Sequence, residues 1–165
     1  MLLVIAISGC GYRFAADGGS RLDSGQKVWV AYFKNDTIYP QTAIQLKRAL
    51  FEQFSAMRGI SPASSKEDGD LIIEGVVTGY GLSVVSYSAT DTAKEYRLVV
   101  SADVTVRKKG DKPDSKPLWK GSVSARHDFV AEAVVEMQRN REEAALASAC
   151  RKLAQQVLWG MEQNY

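Results

Sequence analysis

One histidine and two cysteines stand among 165 residues, so little nucleophilic or metal-based chemistry is open to this chain. His127 adjoins Asp128, but neighbours on an extended strand point to opposite faces and cannot act as an acid–base pair. His127 also falls on the apolar side of an alternating run, where it reads as a satisfied core histidine. Glu74, Glu95 and Asp103 have no spacing that pairs them. Glu142 and Glu143 sit where a helix begins, and a helix N-terminus favours negative charge. Two distant cysteines and one histidine do not make a tetrahedral zinc set, and Cys150 fits the role of a small core residue. Catalysis needs a nucleophile beside a base, paired carboxylates or a metal. The residue types therefore predict a binding or scaffold protein, without enzyme activity, metal or cofactor.

The basic residues are more informative. Lys94, Arg97, Arg107, Lys108, Lys109, Lys112, Lys116, Lys120 and Arg126 fall within one stretch. They fit two readings. One is a solvated strand face whose lysines guard sheet edges. The other is a surface for an anionic, phosphate-bearing partner, for which Lys and Arg are the natural donors. The net charge of +2 is too small to argue for nucleic acid.

The thiol of Cys10 has a different setting. It ends the uncharged run MLLVIAISG, which is far shorter than the ~20 residues that span a bilayer. The run reads as the apolar region of a secretory signal, cut short at its front. Ile7-Ser8-Gly9-Cys10 resembles a bacterial lipobox, in which small side chains fit a narrow protease cleft and the cysteine takes up lipid. Cys10 is thus the expected lipid attachment site, with several acyl chains giving a stable membrane anchor. Gly11, rather than Asp, follows it and points to the outer membrane. The expected organisation is a signal remnant over 1–9, a lipidated cysteine and linker over 10–26, and one domain over 27–165.

The elements that would position these residues follow from periodicity. Residues 27–33, KVWVAYF, are apolar on both faces and predict a central strand. Pro40 suits the first turn of a helix. Ala43, Leu46, Leu50, Phe54 and Met57 then predict a helix over about 40–57, closed by Gly59. Residues 70–87 read as a long irregular strand in which Gly75, Gly79 and Gly81 mark a bulge or bend. Residues 95–107 alternate with period two. Residues 118–130 return as the second arm of a hairpin. A last helix, capped by Asn140 with Glu143 three residues on, carries the stripe Leu146, Cys150, Leu153, Val157 and Met161, widened by Ala149 and Trp159. Residues 131–139 are either an extra helical turn or a loop. The prediction is an α+β domain, order β-α-β-β-β-α, with a four-stranded mixed sheet and two helices on one face. The other face would carry rows of Ser, Thr, Arg, Lys and Asp.

Taken together, CGYRF after the lipobox, VWVAYFKNDTIYPQTAIQLKRALFEQF, KEYRLVVSADVTV and NREEAALASACRKLAQQVL resemble the lipopolysaccharide-assembly lipoproteins, the LptE family, over nearly the whole chain beyond Cys10. The resemblance implies a non-enzymatic protein that sits inside the outer-membrane β-barrel of LptD, plugs its lumen, aids its assembly and binds lipopolysaccharide. It further implies basic lipopolysaccharide-binding residues in two regions, where this sequence offers Lys94 and Arg97, and Arg126 and Arg139. Strand pleating adds Lys120 to the polar face that holds Arg97 and Arg126. The competing expectation is a periplasm-facing lipoprotein that activates or scaffolds another envelope machine, such as a cell-wall synthase. A linker of about 16 residues reaches at most ~55 Å, which favours a partner at the membrane itself.

Overall fold

The computed structural model describes residues 25–112 and 114–162. Cys10, the apolar run before it and most of the expected linker lie outside these residues.

Two helices cover one face of a mixed sheet, as the periodicities predict. The sheet has six strands rather than four, in the order β3-β1-β4-β5-β6, with β2 also beside β4. The expected first strand is split into β1 (Lys27–Val30) and β2 (Lys34–Asn35). Both run parallel along the same side of β4 (Leu71–Tyr87), β1 against Leu71–Ile73 and β2 against Val76 and Val77. Between them Ala31 still donates to the Ile73 carbonyl at 2.9 Å. The chain then bulges and Phe33 turns into the core. The sixth strand is β3 (Ser61–Pro62), parallel to β1. Two-residue strands show no period for a sequence reading to detect, which is why β2 and β3 escape it.

Helix α1 (Gln41–Ser55) follows Pro40 as expected. It ends before Gly59, however. The Ala56 amide donates to the Glu52 carbonyl and the Met57 amide to that of Phe54, closing its last turn, and Gly59 (φ +83°) serves the turn beyond. β4, β5 (Ala93–Lys108) and β6 (Trp119–Val130) form an antiparallel meander. Helix α2 (Val135–Glu162) starts earlier than expected, so Asn140 lies inside it and caps nothing. The chain before the helix is tied down instead by the Gln138 side chain, which accepts from the Glu132 amide at 2.8 Å. Arg141 holds the Glu132 carboxylate at 3.0 Å.

The core lies between the helices and the sheet. Val28, Val30, Leu71, Ile73, Leu98, Val100 and Val104 from the strands meet Leu46, Leu50 and Phe54 of α1 and Leu146, Leu153, Val157 and Met161 of α2. Each fully buried aliphatic side chain contributes about 1.5–3 kcal/mol. Cys150 belongs to this core. Trp159 does not: it is 68% exposed and fails to widen the stripe. Gly160 beside it accommodates Trp119 of β6, whose indole Nε1 lies 2.5 Å from where a Cβ would stand.

Burial pushes the Cys150 thiol up to about 12. The thiolate is the reactive species, so native Cys150 should resist alkylation at pH 8. Iodoacetamide labelling should become complete only in denaturant, and rapid labelling of the folded protein would contradict this burial.

Candidate functional site

The sheet face away from the helices follows from the alternation in β5 and β6. Arg97 pairs with Asp128, Val99 with Arg126, Ser101 with Ser124, Asp103 with Ser122 and Thr105 with Lys120. Three of these five pairs bond side chain to side chain. Arg97 forms a two-pronged bond to Asp128 at 2.8 and 2.7 Å. Ser101 donates to Ser124 at 3.0 Å. Ser122 donates to Asp103. Arg107 reaches Glu74 of β4 at 3.8 Å and donates to the Ser115 carbonyl at 2.9 Å. The result is a polar, largely self-paired surface.

The bond from Arg97 holds the Asp128 carboxyl below its ordinary value, and Asp128 in turn raises the Arg97 guanidinium. A depressed carboxylate stabilises the fold above its unfolded pKa and loses that contribution as pH falls through the folded value. The pair therefore weakens only on acidification below the usual carboxylate range.

The five basic residues singled out in the sequence do not converge. Arg97 and Arg126 are diagonal neighbours across the β5–β6 ladder and line one open concavity of about 520 Å³. Lys120 lies on the same face but six residues along β6, or ~20 Å away at strand rise. Lys94 is three residues before Arg97, so its side chain takes the opposite side of the strand. Arg139 is on α2, ion-paired with Glu143 at 3.5 Å.

Two residues that sequence reasoning missed complete the concavity. Lys152 donates to the Arg126 carbonyl at 2.9 Å, and Gln156 donates to the Ser124 carbonyl at 3.1 Å. They stand four apart on α2, so they share a side of the helix. That polar pair flanking the apolar stripe was the signal available in the sequence. Both close the outer edge of β6, whose carbonyls would otherwise be open to another strand.

A second cleft, of about 260 Å³, lies between the starts of α1 and α2 and is lined by Tyr39, Tyr80, Arg139 and Leu146. Tyr39 stacks on Tyr80 with ring centroids 3.9 Å apart. Tyr80 donates to Glu142, and burial together with that carboxylate raises its phenol. Among the described residues no cluster of His, Cys, Asp and Glu could hold a metal, and no helix is long and apolar enough to cross a membrane.

The LptE family, described as lipopolysaccharide-assembly, matches residues 25–161. This chain belongs to that family. No curated protein matches it in sequence. Among solved structures it is similar to rare lipoprotein B from Shewanella oneidensis, at 13% identity and TM-score 0.50 over 81% of this chain and 92% of that one. It is also similar to lipoprotein B from Nitrosomonas europaea, at 15% identity and TM-score 0.53 over 88% and 87%. A PelC dodecamer from Paraburkholderia phytofirmans matches at 14% identity and TM-score 0.54 over 87% and 92%. At these identities the likeness is one of fold. The fold they share with this chain has two helices on one side of a mixed sheet here.

Proposed function

We propose that this LptE-family protein is an outer-membrane lipoprotein, anchored through Cys10, that occupies the lumen of an LptD-type β-barrel, helps it assemble and binds lipopolysaccharide on its way to the cell surface. It performs no catalysis. The observation that carries the reading is the self-paired polar face of β4, β5 and β6. Large barrels have polar interiors. A body seated inside one must therefore present polar groups that already have partners, because each buried group left unpaired costs about 1–3 kcal/mol. The test is co-purification from detergent-solubilised outer membrane, with the expected result a one-to-one complex with a large barrel. Recovery of this chain alone, or with a periplasmic cell-wall synthase, would overturn the barrel reading.

For lipopolysaccharide phosphates the candidate contacts are Arg97, Lys120 and Arg126 on the polar face, with Lys94 and Arg139 further off. Arg126 and Lys120 make no ion pair among the described residues, so their full donor capacity is available. Arg97 is shared with Asp128. Lys120→Glu combined with Arg126→Glu should weaken lipopolysaccharide binding at least about tenfold, since a charged hydrogen bond contributes ~1.5–3 kcal/mol before screening. Both residues are exposed, so circular dichroism should be unchanged. Unaltered affinity in the folded double variant would reduce these residues to a solvated strand face.

A further inference from the structure

Among the described residues three stretches of the sheet's outer edge bear on strand addition, and two of them are partly covered. β3 covers the start of β1, and Lys152 and Gln156 of α2 cap the carbonyls of β6. The third is the upper half of β4. On its outer side β4 pairs with β1 at Leu71–Ile73 and with β2 at Val76 and Val77. The last bond on this side runs from the Asp36 amide to the Val77 carbonyl, at 3.0 Å. Beyond it, among the described residues, no backbone group pairs with the outer side of β4 as far as Tyr87. The inner side stays in regular register with β5 from Gly79 to Val84, between bulges at Val77/Gly79 and Val84/Ser86.

Between its bulges this edge lacks the charged side chains and prolines that usually block strand addition. Residues 78–90, TGYGLSVVSYSAT, contain no charge and no proline. A row of unpaired amides and carbonyls on an uncharged strand is a template for another extended chain. Its surroundings specify what that chain carries. On the helix side the edge is flanked by Tyr39, which stacks on Tyr80, and by Leu82, opposite the buried Leu98. On the other side lie Ser83 and the small Gly79 and Gly81. No charge on the edge offers a salt bridge to the incoming strand.

We propose that the Gly79–Val84 edge of β4 binds an extended segment of a partner polypeptide, added as a further strand in line with β1 and β2. The segment is uncharged and alternates apolar residues, facing Tyr39 and Leu82, with small polar ones facing the open side of the sheet. Backbone hydrogen bonds hold it, and the alternation sets its register. This goes beyond lodging in a barrel lumen and does not depend on it.

The test uses the full chain and a blocked peptide of alternating threonine and valine with a lysine at each end. Amide exchange is followed by mass spectrometry. At about 1 mM peptide, a concentration suited to a weak, short strand, exchange over residues 78–87 should slow at least about fivefold. The rest of the sheet should be unaffected. Gly81→Lys is the matched variant. A Cβ at Gly81 meets nothing within 4 Å, so the fold is kept, while a lysine on the edge opposes pairing. This variant should show no slowing. Unchanged exchange in the original chain, equal slowing in Gly81→Lys, or slowing that appears without peptide as protein concentration rises would each overturn the proposal. The last result would assign the edge to a second copy of this chain.

Discussion

Replacing Leu153 by alanine is expected to lower the unfolding free energy by about 2–5 kcal/mol. Leu153 is fully buried on α2, among the core residues that join this helix to the sheet. Removing its branched end loses the transfer free energy of the buried carbons and leaves a cavity that close-packed neighbours fill only in part. Domains of this size have about 5–15 kcal/mol in total, so the loss is a large share. A fall in melting temperature of about 10 °C should accompany it. Trp159→Ala is the contrast. Trp159 is the larger residue and shares the helix, but its side is solvent-facing, and surface substitutions usually stay within about 0.5 kcal/mol. Urea melts of the two variants check the pair, and the reverse order would place α2 wrongly on the sheet.

The second large effect is at Gly75. A Cβ there would stand 2.6 Å from Phe33 Cε1, and closer still to the Asp103 carbonyl oxygen. The ring could move only by giving up the site where Phe33 fills the gap between β1 and β2. The carbonyl is backbone of β5, and shifting it breaks the β4–β5 ladder. Overpacking typically costs about 1–3 kcal/mol, and the backbone contact puts Gly75→Val at or above the top of that range. Gly81→Ala, where a Cβ meets nothing, should change stability by less than about 0.5 kcal/mol. Equal denaturation midpoints for Gly75→Val and the parent protein would show that β4 and β5 can separate locally at no cost.

These glycines illustrate where the sequence stops being legible. Gly75, Gly79 and Gly81 look alike as interruptions of one strand pattern, and a bulge is the natural expectation for all three. Only Gly79 adjoins one, at Val77/Gly79. Gly75 is in regular register and is small because Phe33 lies on it, and Phe33 is 42 residues away in the chain. Gly81 lies on the free edge, where nothing approaches it.

The sequence by itself determined what alternation and helical spacing can encode: the long strands β4, β5 and β6, the two apolar helix stripes, their order, the polar composition of the open sheet face and the resemblance to the family. These are local signals, because a side chain's face is set by its own position in a strand or helix. Only the tertiary structure decided what depends on partners distant in the chain. It split the first strand, because Phe33 finds a place over Gly75. It started α2 at Val135, because Gln138 and Arg141 tie down Glu132. It set Arg97 against Asp128, separated Lys94, Lys120 and Arg139 from the Arg97–Arg126 concavity, and brought Lys152 and Gln156 onto the edge of β6. Which cations share a site is fixed by strand register and by how a helix lies across a sheet, and neither is written in the spacing of charges along the chain.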